Sequence, residues 1–323
     1  MRKQELKIVY MGTPEFAVAP LQALIDNHYN VVAVVTMPDK AMGRGLKVQA
    51  SPVKQLARSY SLPVLQPGNL KDPVFLETLR SYSADLQIVV AFRMLPEAVW
   101  AMPPMGTFNL HASLLPQYRG AAPIQWAVIN GEKQTGLSTF LLDRQMDTGR
   151  ILLQEKIAIG PDETGGSVYS RLMELSGPMV LRTVDLLLSG QSRPVDQNTL
   201  IKEAKPLKTA PKLNKENTRI DWSRPGAELY NFIRGLAPYP AAWTAWQKSG
   251  ESIQTVKIHQ AAFVAQEHHM ECGKLLSDQK TYIKTPVPDG FLHWEFFQPA
   301  GKKILSVAEF LRGRPGIEDF KLL

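Results

Sequence analysis

For about the first 190 residues, apolar positions alternate between short continuous runs and helical spacings, and beyond that point the pattern changes. Leu6-Lys7-Ile8-Val9-Tyr10-Met11 predicts a strand, and Gly12-Thr13-Pro14 turns it into a helical spacing of Phe16, Leu21, Leu24 and Ile25. Val31 to Thr36 is β-branched and apolar on both faces, as a buried parallel strand is. The alternation continues with helix 53–60, strand 62–65, helix 72–81, strand 85–92, a short helix 96–101 and strand 106–110. A helix opening at Ile124, strands 135–142 and 151–159, and a long helix from Glu163-Thr164 follow. Strands and helices in such alternation predict an α/β fold with a Rossmann-like, mostly parallel sheet.

From Gln191 to Asn217 the chain is polar and rich in Lys and Pro. Past a helix near Pro225–Leu236, short strands are predicted over 242–247, 255–263, 281–285 and 290–298, with Gly and Pro between them. That punctuation, without long helices, predicts a smaller, antiparallel, OB-like β-barrel. The expected organisation is therefore an α/β domain over 1–190, a basic linker over 191–217 and a β-barrel domain over 218–323.

Composition narrows the class. A hydrophobic content of 44% with 21% charged residues excludes a disordered chain. The single cysteine, Cys272, allows no internal disulfide and no thiolate zinc cluster, and the adjacent His268 and His269 are poorly disposed to share one ion, so no metal is expected. No apolar run approaches the ~18 residues of a membrane span, and Met1-Arg2-Lys3-Gln4-Glu5 leads straight into a strand. A cytoplasmic protein without membrane association is expected. The first strand–helix turn has one glycine and so departs from the GxGxxG pattern, which argues against a nicotinamide or flavin cofactor.

The net charge of +7 is uneven: residues 1–200 hold 19 Lys/Arg and 17 Asp/Glu, and residues 201–323 hold 18 and 13. Lys205, Lys208, Lys212 and Lys215 fall in a stretch without an acid, interleaved with Pro206 and Pro211. Such a strip is either a solvated linker or a surface that tracks a polyanion. The long excursion 37–52 carries Lys40, Arg44 and Lys47, with Arg44 between two glycines that leave the backbone free to bring a guanidinium to a phosphate.

Candidate chemistry sits at the end of strand 106–110. Asn109 and His111, two apart, share one face of an extended chain. Ligands of parallel α/β sheets bind beyond the carboxyl ends of the strands, and Asp147 lies in a loop after a further strand. An amide, an imidazole and a carboxylate, with no Ser or Cys nucleophile, suit direct acyl transfer to an amine. In that scheme Asn109 donates to the oxyanion of a tetrahedral intermediate, His111 moves protons, and Asp147 orients His111 and stabilises its charged form. Each residue also has a structural alternative: a satisfied His, an Asx-turn, and a turn at Asp147-Thr148-Gly149.

Asn109-x-His111 with Ser113-Leu114-Leu115-Pro116, Tyr118-Arg119-Gly120-Ala121 and Met146-Asp147-Thr148-Gly149 resembles the folate-dependent formyltransferase family. Further motifs extend the likeness over nearly the whole chain: Met11-Gly12-Thr13-Pro14-Glu15-Phe16-Ala17, Pro38-Asp39, Gly43-Arg44-Gly45, Ser51-Pro52-Val53-Lys54, Arg219-Ile220-Asp221-Trp222 and Gln298-Pro299-Ala300-Gly301-Lys302-Lys303. The resemblance implies that Asn109, His111 and Asp147 are catalytic and that Ser113, Leu114, Leu115 and Pro116 contact the folate, with the loop at Phe92 and Arg93 bordering its pterin pocket. It implies 10-formyltetrahydrofolate as formyl donor and initiator methionyl-tRNA as acceptor; a monomer is expected, although the sequence itself does not give the oligomeric state. Lys40, Arg44 and Lys47, with Lys205, Lys208, Lys212 and Lys215, become tRNA-binding positions.

Two rivals share features with this reading. A formyltransferase acting on glycinamide ribonucleotide or a nucleotide-linked amino sugar has no need of the basic excursion, the Lys-rich linker or the second domain. A noncatalytic RNA-binding protein has no need of all three polar site residues. Arg44→Ala is expected to cut transfer to the tRNA acceptor far more than it weakens folate binding; equal losses in both assays would remove that role.

Overall fold

Seven strands form the sheet of the first part of the chain: β1 (Lys7–Gly12), β2 (Asn30–Val35), β3 (Val64–Leu65), β4 (Leu86–Val90), β5 (Thr107–His111), β6 (Gln134–Leu141) and β7 (Ile151–Ala158). This computed structural model describes residues 2–42, 47–201, 206–313 and 316–323. The strand order is β7-β6-β5-β4-β1-β2-β3. Pairs β1–β2, β2–β3, β1–β4 and β4–β5 are parallel, and β5–β6 is antiparallel. The continuous apolar runs are explained by burial: Ile8 to Met11 in β1 and all of β4 are out of solvent.

Helices α1 (Val18–Asp26), α2 (Pro52–Ser59), α3 (Pro73–Ser81) and α4 (Glu97–Trp100) connect these strands. Two begin on side-chain caps that the sequence announces. Ser51 accepts from the Lys54 amide at 3.1 Å and Asp72 from the Val74 amide at 2.9 Å, each followed by Pro at the first helical position. The excursion 37–52, read as a loop, pairs Lys40–Met42 with Lys47–Gln49 in a short antiparallel hairpin. Strands of three residues are too short to show a period in the sequence.

By its internal contacts the chain divides into two units. The first comprises Met1–Gly120, Gly136–Ile157 and Ser170–Thr209; the second comprises Ala121–Thr135, Ala158–Tyr169 and Ala210–Leu323. Helix α6 (Gly165–Leu188) buries Leu172, Met179, Val180 and Val184.

In the second unit, helices α5 (Pro123–Ile129), α7 (Gly226–Leu236) and α8 (Val307–Gly313) accompany an antiparallel sheet. Its strands are β8 (Ala242–Lys248), β9 (Gln254–Ala265), β10 (Leu276–Ser277), β11 (Ile283–Val287), β12 (Gly290–Pro299), β13 (Leu305–Ser306) and β14 (Phe320–Leu322). The described path runs β10-β11-β12-β9-β8-β14, with β13 on β12, and curls as a half-barrel with bulges between Ile258 and Ala261. Its core is aromatic: Trp246 lies within 4.8–6.4 Å, ring centre to ring centre, of Trp294, Phe297, Phe310 and Phe320. Among the described residues no helix is long and apolar enough to cross a membrane.

Candidate functional site

After β2 and β3 on one side of β1, the chain crosses to place β4 on the other, so the carboxyl ends of β1 and β4 flank the point where strand order reverses. Gly12 ends β1 there. A Cβ on it would meet the Ala17 Cβ at 2.7 Å and the Val90 carbonyl oxygen at 3.1 Å, so only glycine lets the two strand ends lie this close. The register sets Asn109 beside Val89 and Leu110 beside Val90, which carries β5 to the same end of the sheet.

Asn109 and His111 follow the alternation of β5, with Phe108 and Leu110 buried on the other face. The Asn109 carboxamide makes no hydrogen bond among the described residues, and its Oδ1 is buried. His111 is 7% exposed, and its Nε2 lies 2.9 Å from the Tyr118 carbonyl oxygen. A carbonyl can only accept, so Nε2 carries a proton and the lone pair of the neutral ring is on Nδ1.

Asp147 does not bond His111 directly. Its Oδ2 accepts from the Gly120 amide at 3.0 Å, two residues along from the carbonyl that holds His111. Segment 118–120 thus carries both side chains. Ala91, Tyr118 and Asp147 all have φ between 47° and 60°, a left-handed conformation that non-glycine residues rarely adopt. Gly149 explains the compact Asp-Thr-Gly turn: a Cβ there would lie 1.7 Å from the Leu141 carbonyl oxygen, so the turn rests directly on the end of β6.

The Ser113–Pro116 stretch, expected to contact the folate, is anchored from within. Ser113, Leu115 and Pro116 are buried and Leu114 is partly exposed. The Ser113 hydroxyl donates to the Gln117 carbonyl at 2.7 Å, and Gln154 donates to the Leu115 carbonyl at 2.9 Å. Phe92 and Arg93 are partly exposed, and the Arg93 guanidinium donates to the carbonyls of Pro67 and Gly68. Burial lowers the pKa of Arg93.

Of the basic positions, Arg44 and Lys205 lie outside the described residues, as do the side chains of Lys40 and Lys47. Lys208, Lys212 and Lys215 are exposed. Lys215 stands over the Trp243 ring, its ammonium 5.3 Å from the centre, with Arg219 on the same ring at 5.6 Å.

Two polar clusters in the first unit have no distinguishing signal in the sequence. Gln197, in a run of turn-forming residues with no distinguishing signal, is buried and donates to the carbonyls of Asp147 at 2.9 Å and Gly149 at 2.8 Å. Lys54, buried in α2, meets Asp39 Oδ2 at 2.6 Å, and Gln66 donates to Asp39 Oδ1 at 2.8 Å. Asp39 immediately precedes the hairpin and Ser51 caps the helix that follows it, so this cluster fixes both stems. The Lys54 hydrogen bond, and then that of Gln66, hold the Asp39 carboxyl below its usual range.

Residues 6–184 match a family model described as formyl transferase, and residues 212–315 match one described as formyl transferase, C-terminal domain. Methionyl-tRNA formyltransferase of Parabacteroides distasonis is 51% identical over 99% of this chain and 99% of its own. Its counterpart in Phocaeicola vulgatus is 54% identical over 97% of each. Among solved structures, WlaRD, a sugar 3N-formyl transferase in the presence of dTDP and 5-N-formyl-THF, aligns with a TM-score of 0.62 at 16% identity, covering 92% of this chain and 99% of that one. HypX from Aquifex aeolicus in complex with tetrahydrofolic acid aligns with a TM-score of 0.60 at 17% identity, covering 94% of this chain and 46% of that one.

Because the folded Asp39 carboxyl has a depressed pKa, its contribution to stability is present above the unfolded value of about 3.9 and is lost as pH falls through the folded value. Asp39→Asn is expected to lower stability at neutral pH and to flatten the loss on acidification below about pH 4. Urea denaturation across pH measures this, and an unchanged acid slope would contradict it.

Proposed function

This chain belongs to the formyl transferase family, and from that membership we propose that it transfers the formyl group of 10-formyltetrahydrofolate to the α-amino group of methionyl initiator tRNA. The observation that carries the choice of acceptor is the extent of the likeness: relatives of that name are about half identical through both units, with nearly all of each chain covered. On this reading residues 1–190 hold the chemistry, 191–217 form a basic linker and 218–323 bear on the tRNA. The acceptor is a cytoplasmic species, which locates the reaction. One chain contains every named site residue, and no second copy is invoked.

The residues present suit an amine attacking a carbonyl, because the buried Asn109 Oδ1, without a partner among the described residues, is costly unless a bound N–H donates to it, while Nδ2 of the same carboxamide can donate to the formyl oxygen of the folate. When bound, 10-formyltetrahydrofolate supplies an amide-like carbonyl and a nitrogen leaving group. Asn109 donates from Nδ2 to the carbonyl oxygen as it gains charge, and its Oδ1 accepts an N–H of the incoming amine. His111, held as the Nε2–H tautomer by Tyr118, takes the amine proton on Nδ1 and passes a proton to the departing nitrogen. Asp147, fixed by the Gly120 amide, offsets the positive charge that His111 acquires on taking the proton. Phe92, Arg93 and the Ser113–Pro116 turn line the folate side. The exposed Lys208, Lys212 and Lys215, together with Lys40, Arg44, Lys47 and Lys205, supply the electrostatic attraction for the tRNA backbone.

Incubation with 10-formyltetrahydrofolate and a panel of acceptors tests the assignment. Charged methionyl-tRNA is expected to be formylated, and uncharged tRNA, glycinamide ribonucleotide and a nucleotide amino sugar are not; formylation of a small acceptor alone would overturn it. Asn109→Ala is expected to lower kcat by about 10²–10³ while the KM for methionyl-tRNA changes little. A loss confined to KM would make Asn109 a binding residue only.

A further inference from the structure

Gln197 lies in the segment that follows α6, beyond the residues matched by the first family model and before those matched by the second. Val195 forms an antiparallel bridge with Ile151, each donating to the other at 2.8 Å, and this brings the segment alongside the turn that holds Asp147. Asp196 then caps a single 3-10 turn by accepting from the Asn198 amide at 2.8 Å. The result is that Gln197 points inward and is 1% exposed in an otherwise solvated stretch.

The carboxamide of Gln197 has its full hydrogen-bonding capacity engaged. Both N–H bonds are spent on one turn, to the carbonyls of Asp147 at 2.9 Å and Gly149 at 2.8 Å. Its oxygen accepts from Arg119 twice, from Nε at 3.1 Å and Nη2 at 2.7 Å. Arg119 stands between Tyr118, whose carbonyl holds His111, and Gly120, whose amide holds the Asp147 carboxylate. The bonds therefore close a circuit from His111 through segment 118–120 to Asp147, through Gln197 and back to Arg119. A side chain with two donors and a two-fold acceptor at this reach is required; a carboxylate would face two carbonyl oxygens, and an aliphatic chain would leave two carbonyls and a guanidinium without partners.

We propose that Gln197 is a positioning residue for formyl transfer: it holds the left-handed Asp147 turn in register with the segment that carries His111, and it acts through the Asp147 carboxylate. The inference rests on the assignment of His111 and Asp147 as site residues. It extends the machinery into a segment that makes no contact with the reacting atoms.

A double-mutant cycle read in kcat tests it, with kcat and both KM values measured for methionyl-tRNA and 10-formyltetrahydrofolate. Gln197→Ala is expected to lower kcat by about tenfold or more with both KM values within about twofold. In an Asp147→Asn background, where the carboxylate charge is already gone, the same change is expected to cost less than about twofold. Equal losses in both backgrounds, or no loss in either, would overturn the proposal while leaving the site assignment standing. Near-normal turnover by Asp147→Asn alone would instead remove the site assignment on which it rests. Should Gln197→Ala not fold, the isosteric Gln197→Glu is read in the same cycle with the same expectations, and failure of both to fold would make the residue structural and overturn the proposal.

Discussion

Three residues of backbone carry the geometry on which the proposed chemistry depends. The Tyr118 carbonyl accepts from His111, and the Gly120 amide donates to Asp147. The first bond decides which imidazole nitrogen has a free lone pair, and the second decides where the carboxylate stands. Neither depends on a flexible side chain meeting another. A backbone group that can only accept and another that can only donate fix tautomer and carboxylate position in the absence of substrate.

That arrangement requires unusual backbone. Tyr118 and Asp147 adopt left-handed φ values, at about 1–2 kcal/mol each for a non-glycine residue. The amide bond to the Asp147 carboxylate, worth about 1.5–3 kcal/mol as a bond to a charged group, is of the size needed to offset one of them. Gln197 adds two bonds to the same turn, and Tyr118 gains a bond from its amide to the Lys208 carbonyl at 2.7 Å. The polar contacts around the site hold conformations that the local sequence alone does not favour.

Much of the architecture was legible in the residues, for identifiable reasons. Strands buried on both faces read as unbroken apolar runs and β5 as an alternation, so β1, β2, β4 and β5 were found within a residue or two of their observed ends. Pairing of Asn109 with His111 followed from the period of two. The pairing of Lys40–Met42 with Lys47–Gln49 and the strand β14 were not legible, because strands of three residues hold too few positions to reveal a period, and the terminal α8 was not read either. The Lys54–Asp39–Gln66 cluster and Gln197 were hidden for another reason: nothing local marks a polar side chain whose burial is decided by residues far away in sequence. Asp147 was recognised by motif, but its partner is the Gly120 amide rather than the imidazole, a backbone contact that no side-chain pattern encodes.

The proposed proton transfer by His111, pre-set by backbone bonds, is open to direct measurement. Single-turnover formylation of methionyl-tRNA by His111→Ala, with 10-formyltetrahydrofolate binding measured in parallel, tests this most directly. Proton transfer by His111 requires a rate lower by at least about 10²-fold with folate binding retained. A rate within about threefold of the unaltered chain would contradict it.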